Sequence, residues 1–203
     1  DTNFFGNSVL KENAFPMKST VEALQLRHRL IQNFEDALVA SNVEELEKLL
    51  TLVIVGGGPT GVELSGAVAE MKHYVLPNDY PELDFSKMKI YLLEGTNRTL
   101  AGMSEKSSAQ SLRYLEKLGV TVLTNTIVKD YDGDKVTLDN GNIIRTGIVI
   151  WAAGIKGNVP AGIEESLIAR GNRIKVSKTN MVPGTQNIYV LGDLAFMETD
   201  LFP

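Results

Sequence analysis

Four short runs dominated by apolar residues punctuate the chain: 52–55 (LVIV), 88–93 (MKIYLL), 120–123 (VTVL) and 148–151 (IVIW). Runs of this kind, bounded by polar or glycine-rich segments, read as strands buried on both faces. Between them the apolar positions return at helical spacing. Ser19-Thr20-Val21-Glu22 fits a capping box, and Leu24, Ile31, Phe34 and Leu38 carry the helix it opens to about residue 40. Ser41 and Asn42 interrupt before a short helix over 43–50, whose Glu44, Glu45, Glu47 and Lys48 read as a solvated face. A further helix is predicted over 59–75. The segment with Pro77, Asn78, Asp79 and Pro81 reads as a loop, and Ser104 caps a helix bearing Leu112, Leu115 and Leu118 that Gly119 stops. From 127 to 144 the apolar positions alternate around Asp132-Gly133 and Asn140-Gly141, which predicts antiparallel strands joined by tight turns. Residues 1–18 read as a loop because Gly6, Asn7, Asn13 and Pro16 crowd them. Segment 155–203 is less regular, with strands expected at 174–176 and 188–191.

The order is βαβαβ, a β-meander and one more strand, so the expected fold class is α/β with a Rossmann-like parallel sheet. The divisions are 1–48 as connecting helices, 49–154 as a nucleotide-binding domain, and 155–203 as a return segment. The flanks are expected to be pieces of a second domain into which the first is inserted. The chain begins at Asp1 rather than Met and stops at Pro203, soon after Leu191-Gly192-Asp193, and reads as a piece of something longer. Its 203 residues, 43% hydrophobic, suffice for a sizeable core. The net charge of −5 gives no basic footprint, so no nucleic-acid partner is expected. Without cysteine, and with His28 and His73 as the two histidines, no disulfide framework, metal site or thiol nucleophile is expected in this segment. No apolar run is long enough to span a membrane and no signal peptide is visible, so the segment reads as soluble and cytoplasmic in character.

The candidate chemistry lies where strands end. Residues 51–70 (TLVIVGGGPTGVELSGAVAE) place a buried strand before Gly56, Gly58 and Gly61 and a helix after them. That is the order a dinucleotide-binding turn requires. Gly56 makes the turn, Gly58 admits a pyrophosphate, and Gly61 lets the helix pack on the sheet. Pro59 and Thr60 open a helix whose free N–H groups and dipole face the phosphates. A buried glycine turn with no ligand is the plain alternative. Glu94, ending the second strand, can accept bonds from ribose hydroxyls and repel a 2′-phosphate, which favours NADH over NADPH. It stands 33 residues after Gly61 (94 − 61), against ~20 in the usual fingerprint, and the intervening loop can absorb the excess. A surface strand-end acid is the alternative. Glu63 is either an acid favoured by the helix dipole or a group beside the nicotinamide. The small residues Ala153 and Gly154 after the fourth run let a cofactor or a neighbouring backbone approach, or serve a tight crossing. Gly192 and Asp193 end what reads as another strand, where an Asp can accept bonds from a polyol hydroxyl.

These segments resemble the two-dinucleotide-domain flavoproteins, which include the pyridine nucleotide–disulfide oxidoreductases, and among them the type II NADH dehydrogenases. The matching stretches are GGGPTGVELSG at 56–66, the long loop before KIYLLEG at 89–95, DNGNIIRTGIVIWAAG at 139–154 and TQNIYVLGD at 185–193. NFFG at 3–6 and PMKSTVEALQLR at 16–27 are similar to that family's entry into its NADH domain. The resemblance implies a three-layer FAD/NAD(P)-binding fold with flanking pieces of an FAD domain. It implies NADH pyrophosphate on Gly56, Gly58 and Gly61, ribose on Glu94, and Glu63 beside the nicotinamide and flavin. It further implies Gly192 and Asp193 against FAD. The implied reaction is hydride transfer from NADH to FAD and on to a quinone. The family's first glycine fingerprint and its membrane-anchoring part are expected outside this segment, which would then bind NADH without turnover. A thiol–disulfide reductase of the same superfamily and a non-catalytic redox-sensing module remain open, as does a homodimer.

Overall fold

The structure is a computed structural model in which residues 1–198 are described; positions 199–203, the end of the expected return segment, lie outside them. The chain separates into two compact units, Phe4–Ala153 and a smaller one of Asp1–Asn3 with the chain from Gly154 onward.

The larger unit contains α1 (Ser8–Asn13), β1 (Phe15–Pro16), α2 (Thr20–Leu38), α3 (Val43–Leu49), β2 (Thr51–Val55), α4 (Pro59–Tyr74) and α5 (Leu76–Asp79). A 3₁₀ turn at Phe85–Lys87 precedes β3 (Lys89–Leu93), α6 (Glu105–Lys117) and β4 (Val120–Leu123). Then come β5 (Val128–Tyr131), β6 (Lys135–Leu138), β7 (Ile143–Arg145) and β8 (Ile148–Trp151). The main sheet is parallel throughout, in the order β1-β8-β2-β3-β4, and β5-β6-β7 form the antiparallel meander.

Why the central strands β2 and β8 are buried from end to end follows from what covers them. Side chains alternate across a strand, and here both faces are roofed. Leu52 and Ile54, Ile90 and Leu92, Ile148 and Ile150 point to the helices, meeting Leu26, Phe34, Val68, Ala69 and Leu115. Val53, Val55, Leu93, Val149 and Trp151 point the other way, onto Val128, Tyr131, Val136 and Leu138 of the meander and Leu10 of α1. Helices, parallel sheet and meander are thus three layers, the Rossmann-like arrangement expected. The Ser19 capping box is present, with the Glu22 carboxylate accepting from the Ser19 N–H at 2.7 Å and the Ser19 hydroxyl accepting from the Glu22 N–H at 3.2 Å.

Three expectations are corrected. Residues 1–18 are not all loop: the Asn7 side chain caps α1, accepting from Leu10 N–H at 2.9 Å, and Phe15-Pro16 join the sheet beside β8. Pro16 is tolerated because β1 is an edge strand. The loop before β3 folds into α5 and the 3₁₀ turn. Residues 188–191 form no strand; a lone bridge pairs Tyr189 with Met181. The expected division at 48/49 also differs from the boundaries of the compact units, because α1 and α2 bury Leu10, Leu26 and Phe34 against the sheet.

The smaller unit holds a three-stranded sheet of β9 (Ile168–Ala169), β10 (Arg173–Val176) and β11 (Ala195–Met197) over a small core of Ile174, Val176, Val182 and Val190. Among the described residues no helix is long and apolar enough to cross a membrane, and no cluster of acids and histidines could hold a metal.

Candidate functional site

The glycine turn sits at the carboxyl end of the parallel sheet, where ligands of open α/β sheets bind. β2 delivers the chain to Gly56, whose φ of +111° leaves the region open to L side chains. A Cβ there would lie 2.6 Å from the Ala152 carbonyl and 2.7 Å from Ala153 N, so two strand ends meet backbone to backbone. The neighbour for which Ala152 and Ala153 leave room is therefore Gly56. The Ala152 N–H donates to Val55 O at 2.7 Å and seals the junction.

The next two peptide groups are fixed from β3 and the loop after it. The Gly57 N–H donates to Glu94 Oε2 at 2.5 Å, and the Gly57 carbonyl accepts from Leu100 N–H at 2.7 Å. Glu94 Oε1 accepts from Thr96 N–H at 2.7 Å. A peptide is planar and trans, so its N–H and C=O point in opposite directions. With the Gly57 N–H turned toward Glu94, the Gly56 carbonyl turns toward α4. There it meets Gly61, where an added Cβ would come within 1.8 Å of it. The helix can pack this closely against the turn because position 61 has no side chain.

α4 starts with Gly58 as its N-cap and Pro59 as its first residue, and no side chain caps it. A Cβ at Gly58 would meet nothing within 4 Å, so this face is open space. Pro59 and Thr60 are exposed. The arrangement leaves backbone donors and the positive end of the helix dipole directed outward, which suits an anion. Glu94 is half-buried at the rim of this space. Glu63 is exposed on the second turn of α4, and its carboxylate has no ion pair or hydrogen-bond partner among the described residues.

The remaining expected positions fall in the smaller unit. Gly154 has φ 142° and its carbonyl accepts from Asn3 N–H at 3.1 Å. Gly192 has φ 69°, a Cβ there would meet nothing within 4 Å, and Asp193 is exposed. Both lie in a single 3₁₀ turn, Gly192–Leu194, rather than at a strand end.

Sequence reasoning missed Gly57, Thr96 and Leu100, the residues that tie the turn to the loop after β3. The three successive glycines were a signal for Gly57. Nothing in the sequence marks Leu100, whose φ of 50° is unusual for a bulky side chain. A cavity of about 310 Å³ adjoins that loop, lined by Arg98, Thr99, Ser108 and Thr124 among others. Another of about 430 Å³ lies at the opposite, amino end of β2 and β3, among Glu44, Glu47, Lys48, Lys89 and Arg145. Its charges are paired, Lys48 to Asp134 at 2.7 Å and Arg145 to Glu44 at 3.0 Å. The hydrogen bond from Lys48 holds the Asp134 carboxyl below the usual range. A face already neutralised in this way offers little to a charged ligand.

Known proteins give this geometry a context. The sequence matches the family model for pyridine nucleotide-disulphide oxidoreductases over residues 12–202. It is 33% identical to the type II NADH:quinone oxidoreductase Ndh of Mycobacterium tuberculosis, over 97% of this chain and 44% of that protein. A probable NADH dehydrogenase of Dictyostelium discoideum is 32% identical over 99% of this chain and 45% of its own. The fold overlays on NDH2 of Plasmodium falciparum in complex with NADH with a TM-score of 0.83 and 26% identity, over 97% of this chain and 42% of that one. The chain thus spans less than half the length of the relatives it matches. A clamped glycine turn at the carboxyl end of a three-layer parallel sheet and this family match agree: the chain belongs to the pyridine nucleotide-disulphide oxidoreductase family.

Proposed function

We propose that the chain is the NADH-binding part of a flavin-dependent NADH:quinone oxidoreductase. The observation that carries this reading is the open, uncapped start of α4 with the Glu94 carboxylate at its rim. The pyrophosphate would lie over Gly58, receiving N–H groups from Gly58, Thr60 and Gly61, with Gly56 shaping the turn and Pro59 presetting the first helical residue. Each Glu94 oxygen already accepts one N–H. A carboxylate has about four lone-pair sites, so capacity remains for both hydroxyls of the adenosine ribose. The same negative charge would repel the 2′-phosphate of NADPH. Ala153 closes the floor beside Gly56, and Glu63 stands on the α4 face toward the nicotinamide.

FAD is part of this reading. Gly192 leaves open space for close approach, and the exposed Asp193 carboxylate has the chemistry to accept from a polyol hydroxyl, so both residues fit the group; Gly154 would line the same cofactor. When bound, FAD supplies the acceptor for the hydride. The chain's own residues would hold the dinucleotide in reach, orient its nicotinamide and exclude the phosphorylated analogue. A quinone, the acceptor of the type II NADH:quinone oxidoreductases this chain is similar to, would take up the electrons, and a membrane surface and a second copy would be partners of a longer protein.

Calorimetric titration of the purified chain tests the proposal. NADH should bind at least about tenfold tighter than NADPH, a difference of about 1.4 kcal/mol. Equal or tighter NADPH binding would remove Glu94 from the ribose, and no binding of either would remove the reading.

A further inference from the structure

Leu100 does something in this fold that its side chain does not explain. It holds a left-handed backbone, φ 50°, which costs a residue with a Cβ and persists only where the surroundings enforce it. The surroundings here do. The Thr99 carbonyl accepts from the Ser108 hydroxyl of α6, the Leu100 carbonyl accepts from Met103 N–H at 2.8 Å, and Arg98 donates to the Ala101 carbonyl at 2.9 Å. What this constrained loop delivers is one backbone donor, the Leu100 N–H, to the Gly57 carbonyl at 2.7 Å.

That bond decides where the next amide points. No peptide bond in the described chain is cis, so the Gly58 N–H is directed opposite to the Gly57 carbonyl. With the carbonyl held toward the loop, the Gly58 N–H points away from that loop, and a Cβ built on Gly58 would meet nothing within 4 Å. No backbone or side-chain acceptor takes it among the described residues. Its neighbour, Pro59, has no N–H to offer, so the anion-facing start of α4 depends more heavily on Gly58. The Gly57 N–H is already committed to Glu94 and is not available to a ligand.

We infer that Leu100 is a positioning residue: its backbone N–H, held in strained geometry by the loop after β3, aims the Gly58 N–H at the pyrophosphate of the bound dinucleotide. The inference rests on the NADH-binding reading above and deepens it. Leu100 touches no ligand, and it acts through the Gly57–Gly58 peptide. The left-handed backbone is the condition for reaching Gly57 rather than an accident of the loop.

The test removes the donor and keeps the side chain. Leucic acid placed at position 100 by nonsense suppression turns the amide into an ester that cannot donate. ADP-ribose, which carries the pyrophosphate, and adenosine, which does not, are titrated against the unaltered chain, the ester and Leu100→Gly. The ester should weaken ADP-ribose binding about fivefold, the worth of one modest hydrogen bond, and leave adenosine binding within about twofold. Leu100→Gly keeps the N–H and relieves the strain, so both ligands should bind it as they bind the unaltered chain. In the unaltered chain the Gly58 amide proton should shift on adding ADP-ribose and shift less in the ester. An ester that binds ADP-ribose normally, one that loses both ligands alike, or a weakened Leu100→Gly would each overturn the assignment while leaving the NADH reading intact. An unaltered chain that binds no ADP-ribose would overturn both.

Discussion

Two glycines of the same helix should respond in opposite directions to the same substitution. At Gly61 an added Cβ would stand 1.8 Å from the Gly56 carbonyl oxygen, so α4 must lift from the turn. Gly61→Ala is expected to cost about 3 kcal/mol or more, the upper end for overpacking. At Gly66 a Cβ meets nothing within 4 Å, and Gly66→Ala should gain about 0.5–1 kcal/mol from helix propensity. Urea unfolding midpoints of the two variants check both signs. Glu63 is a different case. It is the fifth residue of α4, beyond the first turn in which the dipole acts strongly. Glu63→Gln should therefore change stability by less than about 0.5 kcal/mol. Its NADH affinity should stay within a few-fold, and in a flavin-containing parent the hydride step should slow. Stopped-flow flavin reduction by NADH is the measurement, and an unchanged rate would return Glu63 to the surface acids. The turn itself was legible because glycine is needed where backbones meet, and sequence displays glycine openly. Leu100 was not, since a left-handed Leu is imposed by the Ser108, Met103 and Gly57 contacts that surround it.

Among the elements, β5 carries the clearest pH signature. The Tyr131 ring is buried between meander and sheet, its hydroxyl donating to Thr146 O at 3.4 Å, and burial pushes its pKa up to about 12. The folded value thus lies above the ~10 of an unfolded tyrosine. A raised pKa means the folded state holds its proton longer. The contribution is complete below pH ~10 and is lost as pH rises toward about 12. Melting temperatures measured from pH 9 upward should fall less steeply in Tyr131→Phe than in the parent, whereas equal slopes would show that the ring is not the titrating group. The long bond implies that the substitution costs under about 1 kcal/mol at neutral pH. Elements were readable where a pattern repeats: β2 and β8 as unbroken apolar runs, the meander by alternation around its glycine turns. They were unreadable where pairing is made from afar. Phe15-Pro16 is too short to show a period and becomes a strand only because β8 lies alongside it. The stretch 188–191 has strand composition and buries Val190, but among the described residues its ladder pairing is limited to the Met181–Tyr189 bridge.

At the scale of the molecule, the register of the parallel sheet governs where chemistry can occur. β2, β3 and β8 all point their carboxyl ends the same way, so Gly56, Glu94 and Ala152 converge although they are far apart in sequence. This convergence explains how Glu94 reaches Gly57 despite its unusual distance along the chain. The added residues fold into α5 and a 3₁₀ turn beneath the sheet and leave β3 in place. The same topology brings the chain into and out of the larger unit at one spot: the Phe4 ring stacks on Trp151 with centroids 5.7 Å apart, and β1 is the immediate neighbour of β8. A path that begins and ends at one place can be cut elsewhere and closed there without stretching. Joining Ala153 to Phe4 through about four Gly/Ser residues, which span up to ~13 Å, and opening the chain at Asn140-Gly141 should give a circular permutant that folds cooperatively and still binds NADH. A permutant that stays unfolded would mean that the order of synthesis, and not only the final set of contacts, is needed to assemble the sheet. If it folds, the unit is a cassette that can be set into a surface loop of an unrelated protein, taking its dinucleotide turn with it.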